Sequence, residues 1–589
     1  MTRAARVVPD VATFAVDDGF WYSIPQHLDD DLDLGSIVRV PLSGRRVRGW
    51  VVEVAESRPG NLKEIGGISG YKGVFDARLL EGLQWASRHY IAPVPVLLGR
   101  ATPPNLPRKL PGAIDVPSVP ESGHQIGDLA KKSAVGARSP VMALVGNWRR
   151  MDWLADVGAL LESGSSALVV AASAAEVHEV GAAAAKVWGD LVALAAGDDD
   201  KGDTEAWEAA QSPPRLVIGT PKTAAWRIER LALAVVLEEG RRAMKDRQTP
   251  TIHVRELLRT RSRLEGFNLV FFGPTPSVEL LSAGADVVRE GSRAWALVEV
   301  VDRSEDQPGS GFLSARVLSA ISAMTRSGAR VFVFTHRRTG YGSMRCTSCR
   351  TLRSCSNCGT RLARVDACPR CHRTVGPCST CGGNTFEEMG TVPERLVAEI
   401  TRKLGVGSAE VHPSKTLVTV GTERDLAGLP PVTLAVAADV DGMLTGVSYR
   451  SSEEALRQLA RLALAVGEGR GARLMLQTSR PDSLLVTTLR RGDPIPYLER
   501  VLIERARSGA PPAAEMIAIE IRGEVPDTVA SDLAALAGAV VLGPMILEEG
   551  RRWLLSGQLG PVRFDLRRLV ARWRDAGLTV RVDADPIDV

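Results

Sequence analysis

Short runs of apolar residues alternate with amphipathic segments through the middle of this 589-residue chain. Between residues 141 and 305, five such runs read VMALVG, SALVVAAS, RLVIGT, LALAVVLEEG and FNLVFFGPTP, and helical stretches such as HEVGAAAAKVWGDL separate them. Continuous apolar runs of this length are typical of parallel strands that are buried on both faces. The pattern therefore predicts a first α/β lobe over residues 141–305.

The same pattern returns in two pieces, 306–344 and 382–485, which we predict to form a second α/β lobe. Its strands are expected at ARVFVFT, KTLVTVGT, VTLAVAADVD and ARLMLQT. A segment without this pattern, residues 345–381, interrupts the lobe just after its strand Arg330–Thr335. Two tandem α/β lobes are the layout of a nucleic-acid motor that binds ATP between them.

The two ends of the chain follow other patterns. Residues 1–101 show short strands at Ile37–Pro41 and Arg48–Val54, then a helix at Ala77–His89, which predicts a small β-rich domain. Residues 102–140 contain seven prolines and no periodicity, so we expect a linker. Residues 486–589 begin with a helix at Pro496–Ser508, which is followed by short strand-like runs and a further helix. This order predicts a compact α+β domain. The expected fold class is therefore multidomain α/β.

All eight cysteines lie in the interrupting segment, as four Cys-x-x-Cys pairs: Cys346/Cys349, Cys355/Cys358, Cys368/Cys371 and Cys378/Cys381. A Cys-x-x-Cys turn aims two sulfurs at one point, and four thiolates complete a tetrahedral shell around Zn²⁺. The pattern predicts two structural zinc sites per chain. A disulfide framework is the competing interpretation, but a long chain without a secretory segment is expected in the cytosol, where thiols stay reduced.

Charge adds a local signal. The chain has 73 Lys and Arg against 69 Asp and Glu, so its net charge of +4 says little about partners. Residues 345–373, however, carry seven arginines against the single acid Asp366: Arg345, Arg350, Arg353, Arg361, Arg364, Arg370 and Arg373. Such a surface suits contacts with phosphate, and a solvated charged face is the alternative.

Targeting signals are not seen. No apolar run reaches the length of a membrane span, and the first residues lack the apolar core of a signal peptide. We expect a soluble, cytoplasmic protein without a membrane partner.

The first lobe lacks the phosphate loop that a motor needs. In that loop, Gly-x-x-x-x-Gly-Lys-Ser/Thr follows the first strand and holds phosphates and Mg²⁺. Here the strand leads into Val145-Gly146-Asn147-Trp148, with no Gly-Lys dipeptide. Trp148 would place an indole ring where phosphate must lie.

Several segments in a fixed order resemble the PriA family of primosomal replication-restart helicases, also called primosomal protein N′. The cysteine segment lies between HRRTGY (336–341) and GTVPERL (390–396), as it does in that family. Further similar segments are LVIGTPKTAAW (216–226), LEEG (237–240) for D-E-E-H, IHVRE (252–256) for Y-H-A-R-D, GPTP (273–276) for G-S-A-T-P, DVD (439–441) for D-x-D and DADP (583–586) for D-V-D-P.

The chain departs from this family at the positions that carry its ATP chemistry. The acid that begins the metal-binding tetrad is Leu237, and the histidine that ends it is Gly240. The family's Q-V-A-G-R-A-G-R segment corresponds to residues 461–470, RLALAVGEGR. The phosphate cradle, the Mg²⁺ ligand and the arginine that stabilises transition-state charge are each lost. We therefore assign no catalytic or cofactor-binding residue and expect neither helicase activity nor functional binding of ATP and Mg²⁺.

The resemblance implies that the amino-terminal domain grips the 3′ end of a nascent DNA strand. Residues 20–25, FWYSIP, are similar to the family's F-D-Y-x-L-P, with Trp21 in place of the Asp. The DNA contacts carried over are Phe20, Tyr22, Gly44 and Lys63, although a core role for the two aromatic residues stays open. Arginines 39, 45, 46 and 48 could add phosphate contacts. The family's winged helix is not expected within 102–140.

For the cysteines, the resemblance implies nested ligation. The outer pairs Cys346/Cys349 and Cys378/Cys381 would share one zinc ion, and the inner pairs Cys355/Cys358 and Cys368/Cys371 the other. The nine residues between the inner pairs suit a hairpin, which favours the same arrangement, but the sequence also permits consecutive pairing. In the family, this module contacts DNA and other primosome proteins.

These expectations combine into one function. We expect a PriA-like replication restart protein of the bacterial nucleoid that binds stalled or abandoned forks and promotes primosome assembly. Its partners would be fork and single-stranded DNA, other primosome proteins, and the replicative helicase or its loader. Two alternatives stay open: an active ATP-dependent 3′-5′ DNA helicase with a divergent nucleotide site, and a zinc-dependent nucleic-acid interaction module of another pathway.

Overall fold

A computed structural model describes the chain in several stretches. They are residues 3–56, 61–70, 73–105, 111–112, 114–306, 311–336, 344–349, 351–357, 359, 362, 366–368, 371, 373–388, 391–444 and 448–587. The chain divides into two units, one of residues 1–290, 509–544 and 552–589 and the other of residues 291–508 and 545–551. None of the helices in the described stretches combines the length and apolar character that crossing a bilayer requires.

The first unit begins with a five-stranded antiparallel sheet, which we call the barrel because Ser23 at one edge bridges to Glu64, just before the strand at the other edge. Its strands, in sheet order, are Phe20–Ser23, Ala4–Pro9, Arg45–Ala55, Ile37–Leu42 and Gly67–Ser69. The backbone N–H of Ser23 donates to the carbonyl of Lys63 at 3.0 Å, which joins the first and last parts of this sheet. Val7, Tyr22 and Val40 are among the buried residues that fill its interior.

Helices and a tight turn complete this domain. Helices Ala77–His89 and Val94–Ala101 pack beside the barrel, the first with its predicted bounds. The two predicted strands are longer than expected, because Ser43 and Gly44 form a two-residue turn with φ of 47° and 79°. Two successive residues at positive φ are typical of a type I′ hairpin, which lets the strands pair up to the turn.

The segment 102–140, predicted to be a linker, contains a helix at Gln125–Ala134. Ile126, Leu129 and Ala130 are buried, and the carboxylate of Asp156 accepts hydrogen bonds from the backbone N–H groups of residues 122, 123 and 124. The helix forms because QIGDLAKKSA has an apolar stripe at helical spacing. The many prolines before residue 121 obscured this stripe in the sequence.

The first α/β lobe is built on a seven-stranded sheet in which every pair is parallel. In sheet order the strands are Asp286–Arg289, Met142–Val145, Asn268–Gly273, Leu231–Leu237, Ser166–Val170, Leu216–Gly219 and Val192–Ala195. The α-helices are Gly158–Glu162, Ala174–Trp188, Asp200–Ala210, Val254–Glu265 and Val278–Ser282. The predicted strands lie at the centre of this sheet, where their apolar side chains are covered on both faces.

The second unit contains a six-stranded parallel sheet. In sheet order its strands are Val298–Asp302, Arg473–Thr478, Leu434–Ala437, Val331–Phe334, Val418–Gly421 and Ala409–Val411. The α-helices are Ala315–Arg326, Pro393–Leu404, Val440–Met443, Ser451–Leu464, Leu484–Arg491 and Ile495–Ser508.

Two predicted boundaries differ from this arrangement. Strand Val298–Asp302 was expected in the first lobe but pairs with Arg473–Thr478 of the second sheet. Its apolar run fits either sheet, and the partner that decides between them lies more than 170 residues further along the chain. Helix Ile495–Ser508 was expected in the carboxyl-terminal domain but belongs to the second unit.

The carboxyl-terminal part has a four-stranded sheet ordered Ala539–Leu547, Gly550–Gly557, Glu515–Arg522 and Thr579–Ala584. Its helices are Thr528–Ala534 and Val562–Asp575. Short 3-10 helices along the chain lie at Phe14–Val16, Gln26–Leu28, Trp148–Arg150, Asp152–Val157, Gly189–Leu191, Pro221–Ala225, Arg242–Met244 and Glu423–Leu426.

Lys245 joins three parts of the first unit. Its buried ammonium donates to Asp583 Oδ1 and to the carbonyls of Ala584 and Asp585, each at 2.6 Å. Asp585 also bonds to Nε2 of His89, the last residue of helix Ala77–His89, at 2.8 Å. The end of the chain is thereby fixed to the first lobe and to the amino-terminal domain.

Candidate metal centres, nucleotide loop and DNA interface

The cysteine segment is closed at its base by two short strands. Met344–Cys346 pairs antiparallel with Phe386–Glu388, and Cys346 lies opposite Phe386. This pairing brings the beginning and the end of the segment together. The outer cysteine pairs therefore meet, although they are 32 positions apart in sequence.

The sulfurs of Cys346, Cys349, Cys378 and Cys381 all lie within 4.8 Å of one another. Sγ of Cys346 is 3.5 Å from Sγ of Cys381, and Sγ of Cys349 is 3.6 Å from Sγ of Cys378. Four sulfurs this close together form a donor set of the kind that a structural metal site requires.

The four sulfurs of this cluster alter one another's ionisation. Hydrogen bonds with the hydroxyl and the backbone of Thr351 lower the pKa of Cys349 to about 6. At Cys381 the backbone N–H of Gly383 lowers the pKa, but hydrogen bonds with Cys349 and Cys346 outweigh it and raise the pKa to about 12. Four neighbouring sulfurs cannot all be thiolates without a positive charge between them. The residues therefore fit a metal ion.

The inner cysteines form a second cluster. The sulfurs of Cys355, Cys368 and Cys371 lie within 4.8 Å of one another, with 3.5 Å between Cys355 and Cys371. Leu362 and Cys368 are buried beside Cys355, so the cluster has its own small core. The fourth predicted ligand, Cys358, lies outside the described residues.

Glycines shape two of the Cys-x-x-Cys turns, a feature that the sequence reasoning missed. Gly359 and Gly382 each follow a second cysteine and have φ of 69° and 73°. Their N–H groups donate to the carbonyls of Cys355 and Cys378 at 2.9 and 2.8 Å. Only glycine adopts this backbone conformation without strain, so Cys-x-x-Cys-Gly was the available signal.

Three of the seven arginines of this segment are described. Arg373 is exposed, Arg345 is half-buried in a strand, and the guanidinium of Arg353 stacks over the ring of Phe386 at 4.4 Å. The other four, Arg350, Arg361, Arg364 and Arg370, lie outside the described residues, as do residues 337–341 and 390 of the flanking motifs.

In the first lobe, the loop that would hold phosphate is filled by Trp148. The indole is 1% exposed, and its N–H donates to Oε1 of Glu238 at 2.7 Å. Glu238 follows strand Leu231–Leu237 at the carboxyl edge of the parallel sheet, where α/β proteins bind ligands. The aromatic ring and one of the two acids left from the family's tetrad are thus bonded to each other.

A second side chain, Glu290, covers the glycine of the same loop. Its Oε2 accepts from the N–H of Asn147 at 3.2 Å and lies where a Cβ on Gly146 would sit. Its Oε1 contacts Nε2 of His124. Burial raises the pKa of Glu290 to about 7, although the Asn147 N–H lowers it, and burial lowers the pKa of His124. The carboxyl group of Glu290 therefore accepts the hydrogen bond from a backbone N–H that a bound phosphate would otherwise accept.

The remaining acid of the tetrad is also engaged. Glu239 accepts from the N–H of Ser277 at 2.7 Å and from the guanidinium of Arg255 at 2.9 Å, and it is 2% exposed. In the second lobe, buried Arg461 donates to the carbonyl of Glu423 at 2.9 Å. Glu239 and Arg461 therefore serve the interior of their own lobes. The sequence did not reveal His124 and Glu290, which come to the phosphate loop from distant segments.

The aromatic segment of the barrel divides between its two faces. Phe20 and Tyr22 lie opposite Val7 and Ala5, whose side chains fill the interior, whereas Trp21 lies opposite Arg6 on the outer face. Tyr22 is 3% exposed and its hydroxyl donates to the carbonyl of Pro41 at 3.2 Å. Phe20 is 41% exposed.

These contacts give the predicted DNA residues different positions. Phe20 lies at the mouth of the barrel, whereas the structure does not bring Tyr22 to the surface. Gly44 forms the hairpin turn, and open space surrounds its α-carbon. Lys63 is exposed, and its carbonyl holds the end of the strand that carries Phe20.

Comparisons with known proteins agree with this architecture. Residues 6–103 match the family model for the 3′ DNA-binding domain (3′BD) of PriA. The probable replication restart protein PriA of Mycobacterium leprae is 25% identical over an alignment that covers 92% of each chain. PriA of Thermotoga maritima is 23% identical, over 58% of this chain and 51% of its own. The chain thus spans about half of the second relative.

A solved structure, the DUF1998 helicase MrfA bound to DNA, aligns with 67% of this chain and 52% of its own, at 10% identity and a TM-score of 0.34. The matches to restart proteins cover most of the chain and keep the motif order of the sequence. The chain is thus similar to PriA replication restart proteins over most of its length, and its residues 6–103 match the family model for their 3′ DNA-binding domain.

Proposed function

We propose that this protein binds stalled or abandoned replication forks and promotes primosome assembly without hydrolysing ATP. The match of residues 6–103 to a 3′ DNA-binding domain carries this proposal. Its barrel presents an exposed phenylalanine at its mouth and exposed basic side chains on its surface. Other primosome proteins and the replicative helicase or its loader are the proposed protein partners.

The filled loop of the first lobe supports a role without a motor. Trp148 occupies the space after the first strand and is bonded to Glu238, while Glu290 accepts the N–H of Asn147. Binding of a nucleoside triphosphate would require the side chains of Trp148 and Glu290 to leave their buried positions. We therefore propose that the two-lobed fold is retained as a scaffold.

We further propose that each cysteine cluster binds one Zn²⁺ in the nested arrangement. All-sulfur donor sets at tetrahedral spacing favour zinc among the common biological metals. The mutual contact of the four outer sulfurs supports sharing of one ion by the first and last pairs. Cys358 would complete the inner site.

A nucleotide titration tests the absence of motor activity. We expect ATP with Mg²⁺ to show no saturable binding below about 1 mM, with or without fork DNA, because the loop is occupied by its own side chains. Isothermal calorimetry measures this directly. DNA-stimulated hydrolysis is expected to stay at background in the wild type and in the E238Q/E239Q variant alike. Hydrolysis that the double substitution abolishes would establish the active helicase instead.

Phe20 offers a test of end recognition. Phe20→Ala is expected to weaken binding of a fork with a free 3′ end by about 1–3 kcal/mol, because stacking of a base on the exposed ring is lost. Fluorescence anisotropy with matched forks, one blocked at its 3′ end, measures this effect. Trp21→Ala, on the outer face of the same strand, is the control. Equal losses in the two variants would contradict a role for Phe20 in end recognition, and preference for single-stranded RNA over forks would favour a different pathway.

A further inference from the structure

Three arginines project from one outer face of the barrel. The register of hairpin strands Ile37–Leu42 and Arg45–Ala55 places Arg39 directly opposite Arg48, and Pro41 opposite Arg46. Alternate pairs in a hairpin share a face, so these two rows point to the same side. The pairs in between carry Val38 and Val40, which fill the barrel interior. Arg39, Arg46 and Arg48 therefore form one cluster on the outside, which we call the arginine face.

Charges on the arginine face are poorly compensated. Like charges directly across a strand pair are destabilising, and Arg39 and Arg48 are both exposed in such a pair. Asp10 lies near Arg48, but within the described residues no carboxylate lies within salt-bridge distance of Arg39 or Arg46. The backbone N–H of Gly66 donates to the carbonyl of Arg39, and Gly67 lies opposite Arg39 in the neighbouring strand. Neither glycine has a side chain that could cover the guanidinium of Arg39. An external anion would offset this repulsion.

We propose that the arginine face binds the phosphate backbone of duplex DNA, on the arm that carries the 3′ end. This inference rests on the proposed fork-binding function and assigns the duplex contact to named residues. The two rows are two residues apart along each strand, roughly 6.8 Å. That spacing is comparable to the axial rise of about two nucleotides in one strand of a duplex, so two phosphates of the same strand can each meet a guanidinium.

The composition of the arginine face favours a duplex over a single strand. Single-stranded DNA is held by aromatic side chains on which bases stack. The two rows carry only arginine and proline, whereas the exposed aromatic residue, Phe20, lies at the mouth of the barrel. Arginines without an aromatic platform contact backbone phosphates and position the DNA without reading its sequence. The domain thus binds a strand end at the mouth of the barrel and a duplex on its outer face.

The salt dependence of binding tests this division. In the full-length R39A/R46A/R48A variant, the slope of log K against log salt for a blunt duplex is expected to flatten by about 2–3, since about 0.9 is lost per phosphate contact. Fork binding at moderate salt should weaken roughly tenfold. The ratio of affinities for free and blocked 3′ ends should stay unchanged. The R39K/R46K/R48K variant, which keeps the charge, should retain most of the slope.

A matched control removes the same charge elsewhere. Arg326, Arg402 and Arg507 are exposed on helices of the second unit, and their triple replacement by alanine should leave the slope unchanged. Equal slopes for the arginine-face variant and the wild type would overturn the inference. If the triple variant fails to fold, Arg46→Ala alone should flatten the slope by about 1, because it lies in the outermost row of the face. If the wild type shows no preference for free over blocked 3′ ends, the proposed function is refuted instead. The salt slopes measured with blunt duplex would still test the arginine face in that case.

Discussion

Replacing Cys378 with serine is expected to remove one of the two proposed zinc ions and to unfold the base of the cysteine module. The outer sulfurs lie within 4.8 Å of one another, so loss of one ligand opens a closed tetrahedral site. Structural zinc sites contribute about 10–16 kcal/mol of apparent binding free energy, which is also folding free energy for the module. Mass spectrometry of bound metal in the purified protein should find one zinc ion per chain in place of two.

A double substitution separates the two possible pairings. In the nested arrangement Cys346 and Cys378 serve the same ion, so C346S/C378S should retain one zinc ion. With consecutive pairing, the same two changes would damage both sites and leave none. Ser379→Ala lies within the Cys378/Cys381 turn but removes no sulfur, and it should keep both ions. Retention of two ions by C378S would contradict the outer site altogether.

Replacing Lys245 with methionine is expected to lower the free energy of unfolding of the first unit by about 3–5 kcal/mol. Methionine keeps the length of the side chain but removes the donor to the carboxylate of Asp583, to the buried carbonyl of Ala584 and to the partly buried carbonyl of Asp585. Removal of one partner from a buried ion pair typically has a cost of this size. Urea unfolding measures the decrease in the free energy of unfolding. Hydrogen exchange of the amides in strand Thr579–Ala584 shows whether the end of the chain opens more often.

The control for this change is Lys201→Met. The Lys201 side chain is 82% exposed and pairs with Glu205 at 3.6 Å on the surface of a helix. Such pairs contribute at most about 1 kcal/mol, so the control should unfold close to the wild type. If the two variants unfold at the same urea concentration, Lys245 does not hold the end of the chain as the contacts indicate.

The elements that are determined by residues close together in the chain could be predicted from the sequence. The central strands of both lobes could be predicted because buried parallel strands require continuous apolar runs. Helix Ala77–His89 was predicted with its observed bounds, and Asp76 caps it by accepting from the N–H of Leu79. The four cysteine pairs were visible because a metal-binding turn needs both sulfurs within four residues.

Contacts between distant segments were not visible in the sequence. Strand Val298–Asp302 has a short apolar run that suits either sheet, and only its pairing with Arg473–Thr478 decides its place. Glu290 reaches the loop at Asn147 from 143 positions away. Trp148 could be recognised as an obstacle to phosphate, but its bond to Glu238 depends on how neighbouring strands align. Helix Gln125–Ala134 was hidden by adjacent prolines.

The tryptophan that fills the phosphate loop also has a consequence for the physiology of the protein. A motor whose nucleotide site is open gains stability from its ligand in proportion to the logarithm of the ligand concentration. Here Trp148 and Glu290 supply those contacts permanently, from within the chain. The first lobe should then be equally well folded whether the cell is rich in ATP or starved of it. If the proposed function is right, the protein would keep its capacity to bind DNA when ATP is scarce.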